Sequence, residues 1–520
     1  MKRITVKTII MLIVGMLILT GCSFQSRPEN DVKPLKSLEK NDKNYDLILK
    51  KYYTQKIKWE KCDKNLASKQ DCAKIKVPLN YEDPNGKTIT LIAKRYKATN
   101  PIGTLFVNPG GPGGSGYNFV DYYVQALVSP EIKENYNIVG FDPRGVGKST
   151  PLDCYSDKDL DKIRQEKKVP SIPLNSQNIM TEAEKEINDF KDKCEKKTGN
   201  LYKYMDTISA AKDLDIWRHL VNDKYLNYFG YSYGTSLGAT YIGLFPNRVG
   251  RMVLDGVVDT QKTYADLNTE QAVGFEKALN AFSKYCAKSS RCPIKDKNFE
   301  NISRKIVDVI DSLGDQGITA KDGRKVNSSV AFEAVASGLY SQDSYPDIES
   351  ALSELIVTKQ VDGLQAMSDN LAGRDSSGRY DNSTEAFIAI DSSDYSKEVM
   401  NDQEIAQYNE KVLQKAPIVG KFFIGSMEQL RYWPTKNDRV KAIVKEPKHK
   451  VLIVGTSGDP ATPYDMAVDA SKNIRNSYLL TWNSFTHGAY GAGSKCISNV
   501  VDKYLLSGQL PEEKNKKCKW

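Results

Sequence analysis

The chain has 520 residues, of which 40% are hydrophobic and 27% charged, and its formal net charge is +9. It is long enough to bury the core of one large domain with an insertion, or of two or three ordinary domains. Basic and acidic residues are mixed without an arginine-rich stripe, which argues against a nucleic acid partner. Three histidines without a C-x-x-C pair argue against a zinc site.

The first residues have the pattern of an export signal. Lys2, Arg3 and Lys7 precede an apolar run at 9–19, which is too short to span a bilayer permanently. The run ends in Leu-Thr-Gly-Cys22, which resembles the bacterial lipobox. This pattern predicts removal of residues 1–21 and a diacylglycerol on the Cys22 sulfur; the alternative is an ordinary signal peptide with a nearby cysteine.

Residues 22–50 are polar and charged, and we expect them to form a tether between the lipid and the folded part. More than one acyl chain on the first residue would anchor the protein stably to the outer face of a bacterial cytoplasmic membrane. Without the signal the net charge is about +6, a modest surplus that would favour anionic envelope polymers.

Eight cysteines remain besides Cys22, an even number that favours disulfides in an exported chain. The sequence does not determine their connectivity. Local spacing favours four pairs: Cys62 with Cys72, Cys154 with Cys194, Cys286 with Cys292, and Cys496 with Cys518.

Short extended runs bounded by turn residues follow the tether, at 73–79, 89–96, 103–108 and 136–141. Apolar spacing predicts a helix at 207–221, and further strands are predicted at 225–229 and 251–254. Strands that alternate with helices favour an α/β fold with a mostly parallel sheet covered on both faces. We assign residues 51–260 to the first part of this core.

Residues 261–435 have long helical patterns with polar joins, and we expect them to form a helical cap inserted into the core. Strand-like runs return at 450–455 and 477–482, and an amphipathic stretch closes the pattern at 496–508. Residues 436–520 are therefore predicted to complete the core.

The pentapeptide Gly230-Tyr-Ser232-Tyr-Gly234 fits G-x-S-x-G and lies between a predicted strand and helix-forming residues. In a nucleophile elbow the serine lies on a strained strand-to-helix turn, where only small neighbours fit. The pentapeptide alone is a weak signal. Its strand-turn-helix context makes Ser232 the predicted nucleophile.

A serine hydroxyl needs a histidine base that a carboxylate orients. His219 lies near the C-terminal end of a predicted helix, where a cation suits the helix dipole. His449 lies between two lysines and is predicted to be exposed. His487 lies in a glycine-rich loop near the end of the chain, where the order Ser, acid, His places the base. We therefore predict His487 as the base.

The acid is expected on a loop after a strand, between the serine and the histidine in the chain. Asp459 directly follows the strand-like VLIVG and its loop is stiffened by Pro460 and Pro463. Asp255, after the strand that follows the elbow helix, is the alternative, because some folds of this type place the acid there. Asp459 is preferred.

An oxyanion needs two backbone N–H donors, one from the residue after the nucleophile and one from a glycine-rich loop after an earlier strand. Tyr233 supplies the first, and Asn-Pro-Gly-Gly-Pro-Gly at 108–113 supplies the second, for which we choose Gly111. The same loop matches G-x-G-x-x-G, but its interior Pro112 and the export signal make a dinucleotide site a poor interpretation. No cofactor or metal is expected.

In combination, NPGGPGGSG, GFDPRGVGKS, YFGYSYGTSLGATYIGLFPNRVGRMVLDGVVD, GTSGDPATPYDMA and HGAYG resemble the secreted tripeptidyl-aminopeptidase-like α/β-hydrolases, relatives of prolyl aminopeptidases. The match spans roughly residues 57–510. It implies an α/β-hydrolase fold with a helical cap over the site, and the triad Ser232, Asp459 and His487. Family members often carry cysteines near 390–393 and 431–434, and this chain has none there, so we expect a looser or differently shaped cap.

The expected protein is a membrane-anchored aminopeptidase that releases short units, such as tripeptides, from peptides with a free amino-terminus. It would need a carboxylate for the substrate ammonium. The cap offers several, including Asp266 and Glu270, and the sequence does not select among them. Two alternatives are open: a carboxylesterase or lipase with the same triad, and an inactive binding lipoprotein on a hydrolase scaffold.

Overall fold

The computed structural model describes residues 47–62, 69–170, 172, 174, 176–435 and 446–519. The predicted signal peptide, Cys22 and nearly all of the tether lie outside the described residues.

The described strands are β1 Gln70–Pro78, β2 Thr88–Tyr96, β3 Thr104–Asn108, β4 Asn137–Phe141, β5 Leu226–Tyr231, β6 Val249–Asp255, β7 Ile318–Thr319, β8 Lys325–Val326, β9 Val451–Thr456, β10 Ser477–Trp482 and β11 Asn515–Cys518. Nine of them form one sheet in the order β1-β2-β4-β3-β5-β6-β9-β10-β11, and β7 and β8 form a separate antiparallel hairpin. In the large sheet β2 is antiparallel to both of its neighbours, and the pairs from β4 to β11 are parallel.

The described helices are α1 Lys50–Tyr53, α2 Gly116–Tyr122, α3 Pro130–Asn135, α4 Asp157–Glu166, α5 Ser176–Thr198, α6 Thr207–Leu220, α7 Tyr233–Leu244, α8 Tyr264–Cys286, α9 Phe299–Asp311, α10 Ser328–Gly338, α11 Tyr345–Ser353, α12 Asp362–Leu371, α13 Ser383–Tyr395, α14 Asp402–Lys415, α15 Ser426–Arg431, α16 Tyr464–Asn473 and α17 Lys495–Ser507. Within the described ranges, none of these helices combines the length and the apolar composition needed to cross a membrane.

The central strands are buried on both faces. All residues of β3, β6 and β9 are buried, which is why their sequences are nearly continuous apolar runs rather than alternating ones. Successive side chains point to opposite faces: Phe106 and Tyr228 pack in the core on one face, and Leu105 and Phe229 on the other. The predicted α/β fold with a mostly parallel sheet is confirmed.

The last strand, β11, was not predicted. Its sequence is Asn-Lys-Lys-Cys, which has no apolar run, because an edge strand is exposed along much of its length. It pairs with β10, and Cys518 is bonded to Cys496 at the start of α17. The structure also joins Cys62 to Cys72, Cys154 to Cys194, and Cys286 to Cys292, the same pairs that the spacing favours.

Helices α8 to α15 lie between β6 and β9 in the chain, and all of them except most of α13 form a hydrophobic core of their own, whereas Ala386, Ala389 and Ile390 of α13 belong to the core under the sheet. Helix α5, which lies in the segment assigned from the sequence to the first part of the core, packs against both layers. Its Met180 belongs to the core of the helical layer, whereas Ile187 and Phe190 belong to the core under the sheet. Arg164 of α4 also binds Asp369 of α12 at 2.8 Å. The cap, residues 261–435, therefore packs against a second stretch of chain, the earlier helices α4 and α5.

Residues 390–393 and 431–434, where the family resemblance led us to expect cysteines, lie together here. The Trp433 Nε1–H donates a hydrogen bond to Ser393 Oγ at 3.2 Å, and both side chains are buried. A hydrogen bond and the packing of a large aromatic ring thus join this part of the cap to α13.

Candidate active site

Ser232 lies between β5 and α7 with φ 53° and ψ −127°, a conformation that a non-glycine residue adopts only when its surroundings impose it. Its N–H donates to the Asp255 carbonyl at 3.0 Å. A Cβ on Gly230 would lie 2.4 Å from the Gly234 carbonyl oxygen, and one on Gly234 would lie 2.8 Å from Asn108 Oδ1. Close backbone contacts therefore explain both glycines of the G-x-S-x-G motif.

His487 and Asp459 form a hydrogen-bonded pair at the carboxyl edge of the sheet. His487 Nδ1 is 2.8 Å from Asp459 Oδ1 and 3.0 Å from Oδ2. The two residues follow β10 and β9, which are adjacent and parallel, so both loops leave the sheet at the same edge. A carboxylate at Nδ1 holds the proton there and leaves Nε2 free to act as a base.

The loop around Asp459 fixes its carboxylate. Oδ1 accepts the N–H groups of Ala461 at 3.0 Å and Thr462 at 2.8 Å, and Oδ2 accepts the Thr462 hydroxyl at 2.9 Å. The Thr462 hydroxyl oxygen is also 3.2 Å from His487 Nδ1. Asp459 is 3% exposed, so these donors replace water around the charge. Thr462 was not singled out from the sequence.

The electrostatics favour the protonated imidazole. Burial disfavours the imidazolium, but the charge of Asp459, its hydrogen bond and the charge of Asp255 outweigh burial and raise the pKa of His487 above its usual value. A raised pKa strengthens the imidazole as a base.

Asp255, the alternative acid, is completely buried and has different partners. Its carboxylate accepts the N–H groups of Ala489 at 3.0 Å and Tyr490 at 2.8 Å, directly after the histidine in the chain. The imidazole is paired with Asp459 instead.

The elbow and the histidine loop contact each other through their neighbours. A Cβ on Gly256 would lie 3.3 Å from His487 Cε1, and one on Gly488 would lie 3.3 Å from the ring of Tyr231, the residue before Ser232. The structure thus brings the serine elbow into contact with the loop that carries His487, which is bonded to Asp459, at the carboxyl edge of the sheet.

The glycine-rich loop after β3 lies against the elbow. A Cβ on Gly110 would lie 2.8 Å from Ser232 Cβ and 3.1 Å from the Tyr233 nitrogen. The Gly110 N–H donates to Asn108 Oδ1 at 2.9 Å, so it is committed within the loop. Gly111 carries the next N–H in the chain, and Tyr233 is the first residue of α7, whose N–H the helix itself does not pair.

The other two histidines lie elsewhere. His219 is in the last turn of α6, where its ring packs edge-on against Tyr53 at 5.2 Å between centroids. His449 packs edge-on against Tyr225 at 4.7 Å and is half-buried, so the prediction that it is exposed was wrong. Burial, aided by neighbouring cations, lowers the pKa of His449. The flanking lysines of His449 are exposed, but the imidazole turns toward the aromatic ring.

The cap covers the histidine through Tyr340, just after α10. The His487 N–H donates to the Tyr340 carbonyl at 2.8 Å, and the two rings meet edge-on with centroids 5.2 Å apart. Because Tyr340 is about 150 residues away in the chain, no local pattern identifies it.

Tyr340 also lines a cavity of about 230 Å³ within the helical layer. Its other lining residues are aromatic, aliphatic, basic and acidic: Lys167, Lys168, Val169, Pro170, Phe275, Ser329, Phe332, Glu333, Ala336, Leu371, Lys421, Phe422, Phe423 and Ile424. Asp266 and Glu270, the carboxylates named from the sequence, pair with Lys411 and Lys262 respectively. Over the described ranges, no three His, Cys, Asp or Glu side chains cluster as metal ligands would.

Comparison with known proteins covers most of the chain. The family described as "alpha/beta hydrolase fold" matches residues 103–304, and the family described as "TAP-like protein" matches residues 416–518. The first segment contains the serine elbow, and the second contains Asp459 and His487.

Three curated relatives align over most of their length. Serine protease Hip1 of Mycobacterium tuberculosis (strain ATCC 25618 / H37Rv) is 34% identical over 453 residues, covering 85% of this chain and 86% of the relative. Tripeptidyl aminopeptidase of Streptomyces lividans is 30% identical over 472 residues, covering 87% and 85%. Carboxylesterase B of M. tuberculosis (strain ATCC 25618 / H37Rv) is 30% identical over 465 residues, covering 87% and 88%.

These alignments run through both the α/β core and the cap, and the resemblance inferred from the motifs is confirmed. The chain belongs to the TAP-like family of α/β-hydrolases and is a serine hydrolase.

Proposed function

We propose that this protein is an exported aminopeptidase that removes short units, such as tripeptides, from peptides with a free amino-terminus. The observation that carries the proposal is the Asp459–His487 pair at the sheet edge where the Ser232 elbow also lies. The relatives named serine protease and tripeptidyl aminopeptidase support peptides as the substrate class.

The first step forms an acyl-enzyme. Ser232 Oγ attacks the scissile carbonyl carbon while His487 Nε2 takes the hydroxyl proton, and Asp459 stabilises the imidazolium that results. The negative charge that develops on the carbonyl oxygen accepts hydrogen bonds from the Gly111 and Tyr233 N–H groups. When the C–N bond breaks, His487 gives its proton to the departing amine.

The second step repeats the chemistry with water. His487 takes a proton from a water molecule, whose oxygen attacks the acyl carbon. Collapse of the second tetrahedral intermediate breaks the bond to Ser232 Oγ, which regains its proton from the imidazolium. The products are a short peptide carboxylate and the shortened peptide.

Glu333 is the carboxylate in the lining of the cavity beside Tyr340, and we propose it as the acceptor of the substrate ammonium. Its Oε2 accepts the Ser368 hydroxyl at 3.2 Å and lies 4.0 Å from the Arg164 guanidinium, and its Oε1 lies 3.4 Å from Lys167 Nζ. The Lys167 side chain is 58% exposed, so this ammonium group can be displaced into solvent by one from a substrate.

The spacing along α10 fits a short peptide. Tyr340 lies seven positions after Glu333: five of these run along α10 to Gly338, about 7.5 Å at a rise of 1.5 Å per residue, and the last two lie beyond the helix end, so the separation is on the order of 10 Å. Three extended residues span about 10 Å. A tripeptide whose scissile carbonyl lies near the histidine under Tyr340 would therefore place its ammonium group near Glu333.

The amino-terminal sequence supports the proposed location of the protein outside the cytoplasm. The signal pattern and the lipobox-like Cys22 support export and lipid attachment at the outer face of the membrane.

The test is kcat/KM for a fluorogenic tripeptide with a free amino-terminus and for its N-acetylated counterpart. Ser232→Ala should reduce kcat by a factor on the order of 10⁶, since the nucleophile is lost. The matched control is Ser457→Ala, at the same sheet edge, whose hydroxyl bonds Asn483 and should leave turnover unchanged. A preference for the free amine that disappears with Ser232 supports the proposal, and equal cleavage of both peptides contradicts it.

A carboxylesterase is the second candidate, because one relative at 30% identity carries that name. The same triad cleaves an ester, and the pocket alone separates the two activities. Rapid turnover of short acyl esters together with negligible cleavage of either peptide would favour the esterase. Failure of the intact protein to react with a fluorophosphonate would favour the inactive binding protein.

A further inference from the structure

Asp255 is a buried carboxylate for which the proposed mechanism has no chemical role. It is the last residue of β6, it has no exposed surface, and it lies between the strand that carries the serine elbow and the loop that carries the histidine. An ionisable side chain in such a place costs stability unless its hydrogen bonds compensate.

The main-chain carbonyl and the side-chain carboxylate of Asp255 bond the serine elbow and the histidine loop, respectively. The main-chain carbonyl of Asp255 accepts the Ser232 N–H at 3.0 Å. Its carboxylate accepts the N–H groups of Ala489 and Tyr490, at 3.0 and 2.8 Å, two and three residues after the catalytic histidine. Asp255 therefore joins the nucleophile to the histidine loop, beside a second connection in which the Tyr231 hydroxyl donates to the Tyr490 carbonyl at 2.9 Å.

We propose that Asp255 is a positioning residue that sets the distance between Ser232 and His487. The inference rests on the proposed hydrolytic mechanism, in which those two residues exchange a proton. Asp255 acts through the backbone of the histidine loop, and its charge acts on the imidazole together with that of Asp459.

The titratable groups around Asp255 come from several parts of the chain. Asp255 faces Asp459, His487, Tyr123 and Tyr231, all of which interact with it electrostatically. Burial raises the pKa of Asp255 to about 6, while its backbone hydrogen bonds oppose this shift. The negative charge on Asp255 is one cause of the raised pKa of His487.

The test is Asp255→Asn, assayed on a chromogenic short-chain ester and on the free-amine tripeptide. The Asn side chain presents one acceptor and one donor to two N–H groups, so the histidine loop loses a hydrogen bond. We expect kcat to fall about 10- to 100-fold at nearly constant KM, as displacement of a catalytic group by about 1 Å would cause. The acid limb of kcat/KM should move to lower pH, since a charge that favours the imidazolium is removed.

The matched control is Asp223→Asn. Asp223 is a half-buried carboxylate whose pKa desolvation likewise raises to about 6, and it accepts the Thr104 N–H at 2.8 Å. It lies before β5, at the opposite edge of the same sheet. This variant should keep the kcat and the pH profile of the wild type.

A second variant separates charge from geometry. Asp255→Glu keeps the charge but displaces the carboxylate by one methylene, so kcat should fall while the acid limb stays closer to the wild-type position than in Asp255→Asn. The proposal is overturned if Asp255→Asn and Asp223→Asn have the same kinetics and pH profile. If Asp255→Asn does not fold, an Asp255→Glu protein with wild-type kcat overturns it.

Failure of the proposed function can be distinguished from failure of the role proposed for Asp255. Ser232→Ala is measured in the same assays, and turnover that survives this change contradicts the proposed function itself. Loss of turnover in Ser232→Ala, together with wild-type kinetics in Asp255→Asn, contradicts only the role of Asp255.

Discussion

Two carboxylates, Asp459 and Asp255, serve the same histidine in different ways. Asp459 bonds the imidazole directly, and Asp255 bonds the backbone that follows it. Both lie at the ends of buried strands, and both are surrounded by N–H donors rather than water. The division of roles follows from distance alone, because β9 is adjacent to β10 and β6 is one strand further away.

Asp459→Asn tests the direct contact. We expect kcat to fall by a factor on the order of 10⁴, because an amide can hold the imidazole in the wrong tautomer. The charge of Asp459 raises the pKa of His487, so its loss should also move the acid limb of kcat/KM to lower pH. A pH-rate profile from pH 5 to 9 measures both effects. Loss of rate without a shift of the acid limb would contradict the electrostatic role.

At the scale of elements, α10 connects the cap to the histidine. Phe332, Glu333 and Ala336 on this helix line the cavity, and Tyr340 beyond its end covers His487. The helix therefore fixes both ends of the proposed substrate path. Its N-cap, Asn327, accepts the Val330 N–H and donates to the Gln165 and Lys167 carbonyls, which ties α10 to the chain after α4.

Glu333→Gln tests the ammonium site. Loss of a hydrogen-bonded opposite charge should raise KM for the free-amine tripeptide about 10- to 100-fold with little change for the N-acetylated peptide or a short ester. The steady-state KM for the three substrates is the measurement. Glu270→Gln is the comparison variant, since Glu270 lies on α8 and pairs with Lys262, which precedes that helix. A rise in KM in Glu270→Gln alone would move the ammonium site to that residue.

At the scale of the whole molecule, several buried carboxylates are harder to ionise in the folded protein than in water. Burial raises the pKa values of Asp223, Asp255 and Glu385 to about 6. Such groups bind protons more tightly in the folded state, so their contribution to stability is complete below about pH 4 and decreases as the pH rises through 6. The contribution of these residues to the free energy of unfolding should therefore decrease between pH 5 and 7.

Asp223→Asn isolates this effect away from the active site. The variant keeps an acceptor for the Thr104 N–H and has no charge to bury, so it should be more stable than the wild type at pH 8, by on the order of 2 kcal/mol. The difference should vanish near pH 4. Urea unfolding at the two pH values measures it. A variant that is less stable than the wild type at pH 8 would contradict the sign.

The sequence by itself determined the features that depend on neighbouring residues. Strand and helix order follows from apolar periodicity, and the G-x-S-x-G glycines follow from the close contacts of one turn. The order of serine, acid and histidine could be read because each candidate directly follows a strand-like run. Four cysteine pairs could be proposed because the two members of each pair are close together in the chain.

Only the tertiary structure decided which distant residues meet. Asp255 and Asp459 each belong to or follow a strand-like run in the sequence, and the order of strands in the sheet assigns one to the histidine loop and the other to the imidazole. Tyr340 and Glu333 carry no local signal, because their roles depend on a cap helix that folds back over the sheet edge. Packing between segments more than a hundred residues apart in the chain places Tyr340 on His487 and Glu333 beside Lys167, and no pattern within one segment records it.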